Sequence, residues 1–153
     1  MREPDTTPRE DAIRLLARRE YARAELRDRL AAKGHESAAI EACLTELAEQ
    51  GLQSDARFAE SFLRARIARG QGPVRIRAEL SRRGIDDATA RAAFDEAQEE
   101  VDWFALAAEA LARRFAGPAA GPRERARRER FLAGRGFDFD QLRHALAHAW
   151  DDA

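Results

Sequence analysis

The apolar positions of this chain recur in threes. Leu30-Ala31-Ala32-Lys33-Gly34 is followed by Leu80-Ser81-Arg82-Arg83-Gly84 and then by Leu132-Ala133-Gly134-Arg135-Gly136, each reading Leu-x-x-basic-Gly, with the closing glycines 50 and 52 residues apart. A fixed period of this length marks stacked structural units. Beyond each glycine, Ile40, Ala90 and Leu142 lie six residues on, and Leu44, Phe94 and Leu146 ten residues on. That spacing of four keeps each pair on one helical face. A basic last turn followed by glycine is the chemistry of a helix C-terminus. Ser37, Asp87 and Asp138 stand where the next helix takes its N-cap. The tight connection between the second and third helices of a unit is thus written three times.

A first helix precedes each such pair. Its apolar face reads Ile13, Leu16 and Ala17 in the first repeat. In the second it reads Phe58 and Phe62 with Leu63 and Ile67 beside them, behind Ser54 as cap. In the third it reads Phe104, Ala107, Ala108 and Leu111. The breaks between first and second helices lengthen along the chain: Glu20 to Arg23, then Gly70-Gln71-Gly72-Pro73, then Gly117 to Pro122. No segment alternates with period two, so no sheet is predicted. The pattern predicts an all-α chain of three tandem three-helix repeats forming an elongated, curved body. A flexible tail covers residues 1–9, and the repeats cover 10–53, 54–99 and 100–153. One position departs from the repeat. Leu26 and Ile76 precede the repeat leucines by four and should be core, but the third repeat has Arg128 there. Its helix, Arg123 to Arg130, is nearly all charged, so it is expected to be the most exposed, with only Phe131 and Leu132 buried.

Charge adds a second pattern. The formal net charge is −1, which argues against attachment to nucleic acid by bulk charge alone. The sum hides sorting. Arg57 to Arg83 and Arg113 to Arg135 each carry a net +6, and Arg14 to Lys33 a net +4. Glu36 to Gln50 has four acids and no base, and Asp86 to Asp102 a net −6. First and second helices therefore read as basic and third helices as acidic. A repeated basic strip suits a repetitive partner, a nucleic acid or a protein filament. Solvated faces with intramolecular balance are the plainer alternative. Lys33 is the only lysine, so nearly every cation is a planar, bidentate guanidinium.

Candidate chemistry is sparse. Cys43 is the only cysteine, which excludes an internal disulfide and a cysteine zinc site, and its apolar neighbours make it a small core residue. The N-terminal residues lack a signal-peptide core and no stretch suits a membrane helix, so a cytoplasmic protein is expected. Gly70-Gln71-Gly72-Pro73 is a turn, not a phosphate loop. Asp140, His144 and His148 share a helix face, but the histidines lie in the final turns, where they suit the helix dipole, so no metal site is expected. His35 follows a capping glycine and is expected at the surface. The short glycine turns permit a helix-turn-helix reading, but the would-be recognition helices are acidic. Neither a catalytic constellation nor a cofactor motif is present, so no enzyme activity and no cofactor are expected.

Several ordered stretches identify a relationship. Ser54-Asp55-Ala56-Arg57-Phe58-Ala59, Gly70 through Leu80 and Arg83-Gly84-Ile85 closely resemble the RecX family. So do Ala17-Arg18-Arg19-Glu20-Tyr21 with Glu25-Leu26, and Phe131-Leu132 with Arg135-Gly136-Phe137. The resemblance covers roughly residues 10 to 150. Members of that family are bacterial regulators of the RecA recombinase with three repeats of three helices. The resemblance implies a protein that binds the RecA–single-stranded-DNA filament, lying in its groove across neighbouring subunits; separately, a monomer is expected. It further implies damping of ATP hydrolysis, strand exchange and SOS co-protease activity. The family supplies no catalytic residues and no short contact motif. Charge and expected exposure nominate Arg64, Arg69, Arg75, Arg77, Arg82, Arg83, Arg123, Arg127 and Arg130 as the residues that meet RecA or DNA. The rival readings are a direct DNA-binding helical protein using the basic strip, and an adaptor for another protein.

Overall fold

The computed structural model describes residues 3–151. Among them it forms nine helices and no strand: α1 Pro8–Leu16, α2 Arg23–Ala32, α3 Ser37–Glu49, α4 Asp55–Ala68, α5 Pro73–Arg82, α6 Asp87–Ala97, α7 Trp103–Arg114, α8 Pro122–Arg135 and α9 Phe139–His148. Alanine, leucine, arginine and glutamate dominate these segments, all good helix formers. Packing divides the chain into two compact units. One holds the chain up to Phe62 together with Leu80–Ala93; the other holds Leu63–Glu79 together with the chain from Phe94 on.

The three Leu-x-x-basic-Gly segments fold into one turn repeated three times. Gly34, Gly84 and Gly136 have φ of 97°, 84° and 96°, a left-handed conformation that side chains with a Cβ rarely adopt. In each, the glycine N–H donates to the carbonyl three residues back: Ala31, Ser81 and Ala133, at 3.0 Å. The following N–H, of His35, Ile85 or Phe137, donates to the carbonyl of the repeat leucine at 3.0–3.2 Å. This pair of bonds satisfies carbonyls that a helix end otherwise leaves open. Each leucine therefore works twice, its side chain fully buried and its carbonyl closing the turn. The residue two beyond the glycine starts the next helix. Glu36 is the N-cap of α3 and Asp138 that of α9, while Asp86 accepts from the Thr89 N–H at 2.7 Å. Asp138 caps as anticipated, but the caps expected at Ser37 and Asp87 fall one residue earlier, because those two residues already belong to the first turn of their helices.

In the first unit the core gathers Ala12, Tyr21, Leu26, Leu30, Ile40, Cys43, Leu44 and Leu47, with Leu15 and Leu16 packed on it. Burial pushes the Cys43 thiol up, so it behaves as the small core residue anticipated. Helix α1 begins at Pro8 behind the N-cap Thr7, so the last two residues assigned to the tail form its first turn. Its inner face is not the one anticipated. Ala12 is buried, while Ile13 is 37% exposed and Ala17 lies at the surface. The helix is rotated because Asp11 turns inward, 5% exposed. Its carboxylate accepts from Thr6 Oγ1 at 2.7 Å and Lys33 Nζ at 3.3 Å, and meets His35 Nε2 at 2.6 Å. Burial raises the Asp11 pKa, but these hydrogen bonds and the Lys33 charge outweigh it and hold the group at about 2. His35 is thus not a surface residue. Its side chain is 4% exposed and supplies a donor that a buried carboxylate requires.

The core of the second unit collects Ala107, Leu111, Leu132, Phe137, Leu142 and Ala145. Phe104, expected on this apolar face, is instead 42% exposed, with its ring edge-on to His144. Arg128 corrects the expectation that only Phe131 and Leu132 of α8 are buried. It is 8% exposed and donates to the carbonyls of Gly117 (2.9 and 3.3 Å) and Glu124 (3.2 Å). Its guanidinium centre lies 4.4 Å from the Phe115 ring and 5.9 Å from the Trp150 ring. An arginine fills the core position of this repeat because the long α7–α8 loop brings carbonyls and aromatic faces that a leucine would leave unpartnered. Phe131, expected to be buried, is half-buried against Phe115.

The same unit joins two helix ends. Gly72 and Val74, before and within the first turn of α5, donate to the carbonyls of Arg135 (2.7 Å) and Gly136 (2.9 Å) at the end of α8. Donors orphaned at one helix start thus meet acceptors orphaned at another helix end. A Cβ on Gly72 would stand 2.5 Å from Gly136 and Phe137 backbone atoms, so only glycine permits this approach.

Candidate partner-binding arginines

The nine nominated arginines do not form one equivalent set. Arg83 is half-buried, bonds Glu25 at 2.8 Å and lies over the Phe62 ring at 4.9 Å. Arg75 spans Glu79 (3.1 Å) and the Gly134 carbonyl (3.4 Å). Arg77 lies over Phe94 at 4.6 Å, and Arg127 over Phe115 at 5.7 Å. Arg64, Arg69, Arg82, Arg123 and Arg130 are exposed, and their side chains have no partner among the described residues.

Geometry separates them further. Arg123, Arg127 and Arg130 follow one another at spacings of four and three on α8, which puts them on one face, about 6 and about 4.5 Å apart along the axis. That face continues over Gly134, where a Cβ would meet nothing within 4 Å. The α8 acids lie off it: Glu124 accepts from the Ala120 N–H, and Glu129 pairs with Arg125 at 3.1 Å. Arg75 and Arg77 are two residues apart on α5 and point to opposite sides of it.

The sorted charge is partly neutralised within the first unit. Arg23 and Arg27 of α2 both bond Glu41 of the acidic α3, Arg23 at 3.2 Å. Hydrogen bonds from Arg27 and then Arg23 hold the Glu41 carboxyl at about 2. Arg57 pairs with Glu20 at 3.1 Å, and Arg19 with Glu25 at 3.5 Å. The acidic pattern also stops at α6, since α9 carries only Asp140 and Arg143. Sequence reasoning passed over Arg9, Arg14 and Arg29, whose side chains have no carboxylate partner among the described residues. The only available signal was the net positive charge of the first two helices.

His144 and His148 stack on each other, with ring centroids 4.7 Å apart, and His148 bonds Asp151 at 2.7 Å. Among the described residues no group of three or more His, Cys, Asp or Glu side chains is placed to hold a metal ion. Nor is any helix among them long and apolar enough to cross a membrane.

Comparison with known proteins places these features in a family. Residues 9–47, 54–93 and 100–146 match the first, second and third three-helix domains of RecX. The chain is 61% identical to the regulatory protein RecX of Chromohalobacter salexigens over 97% of its own length and 96% of that protein. With the regulatory protein RecX of Halorhodospira halophila it shares 48% identity over 94% and 89%. The crystal structure of RecX from Lactobacillus salivarius has the same fold, with a TM-score of 0.77 at 23% identity over 93% of this chain and 94% of that one. With three matching domains in order and relatives that align from end to end, the chain belongs to the RecX family of regulatory proteins.

Proposed function

We propose that this protein regulates RecA by binding the RecA–single-stranded-DNA filament, damping ATP hydrolysis, strand exchange and SOS co-protease activity. It works in the cytoplasm as a monomer, without cofactor or catalytic residue, and the repeats over 10–53, 54–99 and 100–153 act as successive docking modules. The observation that carries this reading is the α8 face, where Arg123, Arg127 and Arg130 form an exposed row with no carboxylate partner among the described residues. Unpaired guanidiniums at regular spacing suit a repetitive anionic partner, because they meet phosphate or carboxylate without first breaking an internal pair. Regulation follows from differential binding. A ligand that contacts neighbouring subunits favours whichever filament state presents its sites at the matching distance, and shifts the population toward it.

Labelled protein tested against preformed RecA filaments on single-stranded DNA, and against the same DNA alone, checks the reading. Tighter binding to the filament, weakened by Arg123→Glu with Arg130→Glu, is expected. Equal, steeply salt-dependent binding to both would favour a direct DNA binder instead.

A further inference from the structure

Two arginines of the first unit without a carboxylate partner among the described residues, Arg14 and Arg29, share one cleft. Arg14 and Leu15 of α1 and Arg29 and Leu30 of α2 line a 150 Å³ space with Asp11 and Lys33. Other arginines of this unit, among them Arg19, Arg23, Arg27, Arg57 and Arg83, have carboxylate partners. Arg14 and Arg29 have none among the described residues; Arg29 has only a distant ring contact, 5.9 Å from Tyr21. The one acid in the wall, Asp11, is already occupied by Thr6, His35 and Lys33, so it does not quench the two guanidiniums. Leu30 is fully buried beneath this space, so the apolar surface of the cleft comes from the partly buried Leu15. Arg14 also borders a shallower depression with Arg9 and the exposed Ile13, so the mixed surface continues around α1.

We infer that this α1–α2 cleft is a docking site for an acidic segment of a protein partner, in which Asp or Glu side chains alternate with large apolar ones. Charge complementarity sets the sign of the occupant, and Arg14 and Arg29 present forked donors to carboxylates. Leu15, with the exposed Ile13 beside Arg14 in the adjoining depression, favours a peptide over a phosphate backbone, because a chain of phosphates offers nothing to cover apolar side chains. The inference does not depend on the filament reading, which uses the α8 face.

The test is fluorescence anisotropy of a short labelled peptide of Glu interleaved with Leu, titrated with the full chain. Binding is expected to weaken at least about tenfold in Arg14→Glu/Arg29→Glu, as for a close charge pair turned repulsive, and to survive in Arg123→Glu/Arg130→Glu. Replacing the peptide leucines by alanine is expected to weaken it by a similar factor. Arg14→Lys/Arg29→Lys, which keeps the charge but not the fork, is expected to bind at an intermediate level, and circular dichroism checks that each variant is folded. Absence of peptide binding, binding unchanged in the Arg14→Glu/Arg29→Glu variant, or displacement of the peptide by a single-stranded oligonucleotide of equal charge would each overturn the inference.

Discussion

Gly84 faces Ala24 so closely that a Cβ added to the glycine would stand 2.5 Å from the alanine Cβ. The turn of the second repeat therefore packs on the first turn of α2, and the adjacent Arg83–Glu25 ion pair, at 2.8 Å, closes the same contact. The third repeat uses the device again. A Cβ on Gly136 would lie 2.2 Å from the Arg75 Cβ and 2.7 Å from its backbone nitrogen. Gly84→Ala is expected to cost about 2–3 kcal/mol, combining left-handed strain with overpacking, and Gly136→Ala more. Ala24→Gly in the Gly84→Ala background should recover part of the loss. Gly134→Ala is the control: the position is open and helical, and the change should stabilise by up to about 1 kcal/mol. Urea unfolding of the four variants checks the series.

Arg128 should resist replacement by either charge or bulk alone. Arg128→Lys keeps a cation but loses the fork that reaches two carbonyls, and is expected to cost about 1–2 kcal/mol. Arg128→Leu restores the residue type found at Leu26 but strands the Gly117 carbonyl. Both should loosen the surroundings of Trp150, whose indole donates to the Phe115 carbonyl at 3.3 Å. Thermal unfolding and near-ultraviolet circular dichroism read the two effects.

Acid should weaken the first unit in a defined window. The Asp11 carboxyl is held at about 2 against an ordinary 3.8. A depressed carboxylate contributes stability that is present above its unfolded pKa and lost as pH falls. The loss therefore runs between about pH 4 and about pH 2, with Glu41 adding to it in the same range. Asp11→Asn should lower stability at neutral pH and flatten this acid slope without abolishing it. Urea titrations across the window test the sign.

The nominated arginines should separate into two classes. Arg123→Glu with Arg130→Glu should change folding stability by less than about 0.5 kcal/mol, as surface changes do, while weakening filament binding. Arg83→Glu should lower stability itself, because it sets two carboxylates against each other at a half-buried site. Measuring stability and binding on each variant distinguishes the classes.

What was legible in the sequence was what the backbone dictates locally. A leucine, a basic residue and a left-handed glycine at fixed offsets specify the turn whatever surrounds it, so all three turns fall at their anticipated positions. The inward rotation of Asp11 was not legible, since its cause lies in Lys33 and His35, more than twenty residues away. The same holds for Arg128, whose partners beyond its own helix come from the α7–α8 loop and from Trp150. Among the arginines, charge was legible but pairing was not. Whether Arg27 meets Glu41, or Arg14 meets nothing, depends on how neighbouring helices rotate about their axes, and composition does not carry that information.

The most direct test of the central claim is RecA's single-stranded-DNA-dependent ATPase, titrated with this protein at well below one copy per RecA. Inhibition at that ratio, relieved by Arg123→Glu/Arg130→Glu, is the predicted result, since one bound copy then affects several subunits. An unchanged rate even at stoichiometric excess and moderate salt would contradict the account.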